Sequence, residues 1–274
     1  MLMLAAQVIL LGTGTPQADP DRSGPAVAIV ANGAAYIVDF GPGVVRRAAA
    51  AKIEPKNLKI AFSTHLHSDH TLGLADLIFS PWVLERTEPL QLYGPRGLRA
   101  MADHIEKAYA QDIQIRLHGG QPSNPTGYKV VVHEIREGEV YRDANVRVTA
   151  IRVAHGDWRD AFGYRFDTGG RSFVISGDTA PSDAVVDACH GCDVLMHEVY
   201  SESGLARRTP EWQRYFARYH TSSKQLGEIA TKARPGVLVL YHQMNSGTSD
   251  EDLFKEVQRG YAGKMVSARD LDVF

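Results

Sequence analysis

Four short apolar runs in this chain stop on a histidine or an aspartate, and this recurrence limits the fold more than any other feature of the sequence. LKIAFST runs into HLHSDH at 65–70, VRVTAIRV into AHGD at 154–157, SFVI into SGDT at 176–179, and VLVL into Tyr241 and His242. Runs of this length, rich in β-branched residues and bounded by glycine, read as strands. A strand end is where a sheet passes its chain to a loop that can carry chemistry. Helical stretches alternate with these strands. They include VVRRAAAA at about 44–52, TLGLADLIFSPWVLER with a break near Pro81, LRAMADHIEKAYAQD, a helix over about 181–190, PEWQRYFARYH, a helix from Ser222 to Lys232, and one near 250–260. Strands mixed with helices throughout predict a layered α/β fold with helices outside the sheets.

The second half echoes the first. AVAIVANGAAYIVDFG is two alternating runs joined by Asn32 and Gly33, a favoured pair for a tight hairpin. FGYRFDTGGRSFVISGD repeats that layout through Gly169 and Gly170 and ends in an acid beside glycine, to be compared with IVDFG at 37–41. Two similar β-rich halves within one domain spanning 1–274 are expected, with HGGQPSNPTGY at 118–128 as the most loop-like midpoint.

Composition narrows the function classes. With 44% hydrophobic and 23% charged residues, a chain of 274 residues buries a full core. A formal net charge of −2 gives no global basic field to attract nucleic acid, though a local patch is compatible with it. No apolar run reaches the ~18–20 residues of a membrane span. The start, MLMLAAQVILLGTGTP, lacks a basic leader region and passes directly into a first strand, so no signal peptide is read there. The chain as it stands is expected in the cytoplasm. Export would follow if LAAQ is the remainder of a trimmed signal. Cys189 and Cys192 form a single C-x-x-C, too little for a disulfide-stapled scaffold and best read as small residues near a helix end.

The 65–70 cluster carries the clearest chemistry. In an extended segment His65, His67 and Asp69 point to one face, and His70 approaches from another as the chain turns into a helix. Imidazole plus carboxylate suits zinc, with iron or manganese as alternatives. The bland reading is a solvated polar loop. Singly, Asp178 could cap the helix after Pro181, and His155 or His242 could be satisfied core histidines; all three following the cluster points to a metal site.

In that order, HLHSDH, AHGD, SGDT and LYH resemble the successive metal motifs of the metallo-β-lactamase superfamily, and the likeness runs from LLGTGTP to the final strand. The resemblance implies a four-layer αβ/βα sandwich with two Zn2+ ions. His65, His67 and His155 would hold one ion, Asp69, His70 and His242 the other, and Asp178 would bridge them. Zinc β-lactamases typically have cysteine where Asp178 stands, and diiron oxygen-reducing relatives tend to have an acid where His67 stands. LLGTGTP, MHEVYS at 196–201 and HTSSKQLGEIA at 220–230 resemble the ribonuclease Z and arylsulfatase-like branch. There His220 is the candidate acid or electrophile, oriented by Glu198, with Asp69 as the third catalytic residue.

The reaction so implied is hydrolysis of a phosphodiester-type small molecule or short nucleic acid by a metal-bridging hydroxide. Arylsulfatase, lactonase or β-lactam hydrolysis on the same site are alternatives, and a metal-binding scaffold or sensor is the alternative of another class. The long tRNA-gripping arm of many ribonucleases Z has no room between His155 and Asp178, which counts against a tRNA substrate. Relatives in the branch are often homodimers. One further segment, SGLARRTPEWQRYFARYH, sets Trp212, Tyr215, Phe216 and Tyr219 at helical spacing among Arg207, Arg208, Arg214 and Arg218. It reads either as a helix packed on a sheet or partner, or as a lid offering cations and aromatics to an anionic substrate.

Overall fold

A computed structural model describes residues 6–274 of the chain. The first five residues, where the question of a trimmed export signal falls, lie outside the described residues. The described chain divides into two compact units at residues 135 and 136, seven residues beyond the 118–128 loop expected to mark the midpoint.

Unit 1 comprises the stretch ending at Gly12, Pro16–Ile135 and Asp270–Val273. Its strands are β1 (Gln7–Gly12), β2 (Ala26–Ala31), β3 (Ala34–Val38), β4 (Ile60–Phe62), β5 (Leu90–Gly94) and β6 (Val130–Glu134). They form one sheet in sequence order, antiparallel through β3 and parallel from β3 to β6. The turn between β2 and β3 sits on Asn32 and Gly33, both at positive φ, as a tight hairpin of this pair requires. The helices are α1 (Val44–Ala50), α2 (Ser68–Thr71), α3 (Leu74–Val83), α4 (Leu98–Ala108) and α5 (Ala110–His118). Ile37, Phe40, Leu74, Ile78, Leu92 and Leu98 lie in the core between sheet and helices.

Unit 2 comprises Thr13–Thr15, Arg136–Arg269 and Phe274. Its strands are β7 (Gly138–Arg142), β8 (Val146–Arg152), β9 (Phe162–Thr168), β10 (Ser172–Ile175), β11 (Val194–Tyr200), β12 (Val237–Met244) and β13 (Met265–Ser267). The sheet order is β13-β12-β11-β10-β9-β8-β7, parallel from β13 to β10 and antiparallel beyond. Its helices are α6 (Asp183–Cys189), α7 (Glu202–Leu205), α8 (Pro210–Tyr219), α9 (Ser223–Ala233) and α10 (Asp250–Gln258). Ser222 and Gln225 close a capping box at the start of α9. Thus each unit joins an antiparallel hairpin to parallel strands, the echo expected from the sequence. The parallel strands β11 and β12 are buried along their whole length.

Several local expectations are corrected. Helix α3 runs through Pro81 and stops at Val83. Proline has no N–H for the Leu77 carbonyl, and the Arg86 guanidinium supplies the missing donor at 3.0 Å. Arg86 is fully buried, and its five N–H groups reach the carbonyls of Leu58, Leu77, Ile78 and Gly127. Burial pushes its pKa down to about 10, still charged at neutral pH. The single helix expected over 98–112 is two, parted at Tyr109. The 118–128 loop is tied down by Trp82 Nε1 to the Asn124 carbonyl and by Asn124 Nδ2 to the Arg86 carbonyl. Cys189 and Cys192 are buried at the end of α6 and joined as a disulfide. Among the described residues no helix is long and apolar enough to cross a membrane.

Replacing Arg86 by alanine strands four buried carbonyls at ~1–3 kcal/mol each. Urea denaturation of Arg86→Ala is expected to show a loss of about 3 kcal/mol or more; a loss below about 1 kcal/mol would show that water reaches these carbonyls.

Candidate metal centre

The donors of unit 1 leave the sheet at the C-terminal end of β4. Asp39, one residue past β3, organises them from 2% exposure and a left-handed φ of 58°. Its Oδ1 accepts the Thr64 amide at 2.8 Å, and its Oδ2 accepts the Thr64 hydroxyl at 2.8 Å. The same Oδ2 lies 2.8 Å from His70 Nδ1. Because the Thr64 hydroxyl donates to Asp39, it accepts at 3.0 Å from His65 Nδ1. A hydrogen bond therefore places the proton on Nδ1 of both His65 and His70 and leaves each Nε2 as a lone pair. His65 Nε2 faces His67 Nδ1 at 2.9 Å, and Asp69 Oδ2 lies 3.6 Å from His70 Nε2.

Two glycines make this loop geometry feasible. A Cβ on Gly41 would stand 2.6 Å from the Asp69 carbonyl, and one on Gly73 would stand 2.4 Å from the Gly41 carbonyl. The Asp39–Gly41 turn and the 65–73 loop thus touch backbone to backbone, with the Phe40 amide bonded to the His70 carbonyl at 2.9 Å.

Unit 2 carries the remaining residues of the expected ligand set. His155 follows β8, and its Nδ1 donates to the Tyr219 carbonyl at 2.8 Å, again leaving Nε2 as the lone pair. Asp178 follows β10 and is buried, with Oδ2 3.7 Å from His242 Nε2 and 3.9 Å from His220 Nδ1. His242 lies where β12 bulges. Leu240 pairs with His197 and Gln243 with Val199, so Tyr241 and His242 together oppose the single residue Glu198. His242 holds a positive φ of 46°, a strained conformation for a non-glycine residue, and such bulges re-aim side chains at functional sites.

Glu198 occupies the other side of that bulge, fully buried. Its Oε1 lies 3.0 Å from His220 Nδ1 and accepts the amides of Thr179 at 3.0 Å and Thr221 at 3.3 Å. Burial pushes its carboxyl well above the usual range and the Asp178 charge adds to this, while His242 and the two amides act in the opposite direction. Its neighbour His197 differs: burial lowers its pKa to about 4, so it stays neutral as a core histidine.

The residues fit a divalent cation of the zinc type. Two nitrogens on one tetrahedral zinc, each at ~2.0–2.1 Å, stand about 3.3 Å apart, close to the 2.9 Å between His65 Nε2 and His67 Nδ1. The fixed tautomers of His65, His70 and His155 are those of metal-ligating histidines. Asp39 and Thr64 were not singled out from the sequence. The signal was the acid two residues before glycine in IVDFG, the counterpart of Asp178 in ISGD.

A Beta-lactamase superfamily domain matches residues 35–243. The ribonuclease Z of Mycobacterium bovis (strain BCG / Pasteur 1173P2) is 30% identical over 271 residues, covering 97% of this chain and 96% of that protein. The metallo-beta-lactamase fold protein YhfI from Bacillus subtilis superposes with a TM-score of 0.77 at 18% identity, over 99% of this chain and 100% of that one. The short form of human tRNase Z does so with 0.73 at 23%, over 98% of each. The chain belongs to the β-lactamase superfamily, with the metallo-β-lactamase fold. It is a metal-dependent hydrolase of the ribonuclease Z-like kind. The mycobacterial relative matches over nearly its whole length, so a chain of this size, with only the β9–β10 hairpin between His155 and Asp178, is not set apart from proteins of that name.

If Asp39 fixes the His70 and His65 tautomers, Asp39→Asn is expected to weaken zinc binding ~10–100-fold, read by competition with a chromophoric chelator. Equal affinity in the two proteins would remove Asp39 from the centre.

Proposed function

We propose that the chain is a dinuclear zinc hydrolase of phosphodiester bonds, with units 1 and 2 acting as one domain over 1–274. In this reading His65, His67 and His155 would hold one ion and Asp69, His70 and His242 the other, with Asp178 bridging the two. The observation that carries the reading is the paired buried acid and imidazole, Glu198 and His220, in the unit that supplies Asp178 and His242. The relatives named ribonuclease Z supply the substrate class.

Two zinc ions bound by these donors would polarise a phosphoryl oxygen and bring the pKa of a water toward ~7. The Asp69 carboxylate accepts a hydrogen bond from the attacking water and aligns it. Glu198 Oε1, which also accepts the Thr179 and Thr221 amides, accepts the Nδ1 hydrogen of His220 at 3.0 Å and fixes the ring. His220 Nε2 is thereby left to the substrate, and when protonated it donates to the leaving-group oxygen. General-acid help of this kind is worth ~10²–10⁴-fold.

On bis(p-nitrophenyl) phosphate, His220→Ala is expected to lose ~10²–10⁴-fold in kcat while keeping its zinc content, and a chelator is expected to abolish wild-type turnover. Full turnover in His220→Ala would remove the acid role. Turnover of sulfate esters, lactones or β-lactams with none of the phosphodiester would overturn the assignment.

A further inference from the structure

Helix α8 has two faces with different fates. Inward, Phe216 packs edge-on against Tyr200 at 5.5 Å and joins a small core with Leu205 and Met244. At its C-terminal end Tyr219 closes on the His155 turn. Gly156 has φ 56°, and a Cβ there would stand 2.0 Å from the Tyr219 ring. Asp157 accepts the Tyr219 hydroxyl at 2.7 Å and pairs with the Arg218 guanidinium. Upstream, the Glu256 carboxylate of α10 receives the Ser201 hydroxyl and the Glu202 amide, each at 2.9 Å. The segment is therefore anchored at both ends.

Outward, no residue of α8 is fully buried, and Trp212 is 45% exposed. The Arg208 guanidinium lies over its indole at 5.4 Å. Tyr215 meets Trp212 edge-on at 5.6 Å and stacks on Tyr219 at 4.3 Å, so an aromatic row leads from Trp212 toward His220. Between Arg207 and Tyr219 stand four arginines and a single acid, in a chain whose net charge is −2. Arg214 is paired with Glu211 and Arg218 with Asp157. Arg207 and Arg208 are in no such ion pair among the described residues; Arg208 lies over the exposed indole, and Arg207, beside it in the chain, has its guanidinium near Gly247.

Resting on the phosphodiesterase reading above, we propose that Arg207 and Arg208, in the turn before α8, together with Trp212 of α8, dock single-stranded nucleic acid. Trp212 stacks on a base, and the two arginines meet phosphates. Cations beside an exposed indole suit a chain that is anionic along its backbone and aromatic at every unit. Trp212 and His220 are separated by eight residues, about 12 Å of helix at ~1.5 Å per residue.

The test is fluorescence anisotropy of a labelled single-stranded RNA octamer with the full chain, zinc-loaded and chelator-treated. Trp212→Ala is expected to weaken binding about fivefold or more. Arg207→Ala with Arg208→Ala should flatten the slope of log Kobs against log[salt] by about 1.4. In both variants kcat/KM on bis(p-nitrophenyl) phosphate should stay within about twofold of wild type, which also reports correct folding. Unchanged RNA binding and salt slope, or no RNA binding by the wild type, overturns the docking surface even where the small diester is hydrolysed. RNA binding that weakens as expected, without hydrolysis of any diester, upholds the surface and overturns the phosphodiesterase reading instead. A dimer in sedimentation that Trp212→Ala splits, at unchanged RNA affinity, would assign this face to a second copy of the chain and overturn the proposal.

Discussion

The buried Asp39 carboxylate is the contact on which the geometry of unit 1 depends. A charge at 2% exposure is sustained only by the donors that converge on it: the Thr64 amide and hydroxyl and the His70 ring. Those same donors place protons on the inner nitrogens of His65 and His70, so the cost of burying the charge is offset by the bonds that prepare the site. The strained φ of Asp39 and the side-chain-free contacts of Gly41 and Gly73 are consequences of bringing two turns this close.

Unit 2 reaches a similar result by different means. There a bulge in β12, rather than a buried hub, turns His242, while the backbone of α8 fixes His155 through the Tyr219 carbonyl. Glu198 does for His220 what Asp39 does for His70: a buried acid held by backbone amides orients an imidazole. The two units thus share a sheet plan and a device, a carboxylate behind a ring.

The proposed ligands were legible because each stands at or just beyond the end of an apolar run, where strand periodicity stops and a polar group is conspicuous. Their supports were not. Asp39 stands two residues before Gly41 and reads as an ordinary turn residue; only comparison with ISGD marks it. Arg86 reads as a solvated cation at a helix end, since nothing local reveals that Pro81 leaves the Leu77 carbonyl needing a donor across the turn. The break expected at Pro81 failed for the same reason. Strands β6 and β7 were not read at all, because edge strands with half-exposed faces alternate weakly. The aromatic segment was read as a packed helix or a lid; it packs through Phe216 and leaves Trp212 in solvent.

The proposed dinuclear centre needs two divalent ions at once, and titrating metal-free protein with Zn2+ while following hydrolysis of a chromogenic phosphodiester tests this. Turnover is expected to rise with added metal and to saturate at about two equivalents. Saturation at a single equivalent, or turnover independent of metal, would contradict it.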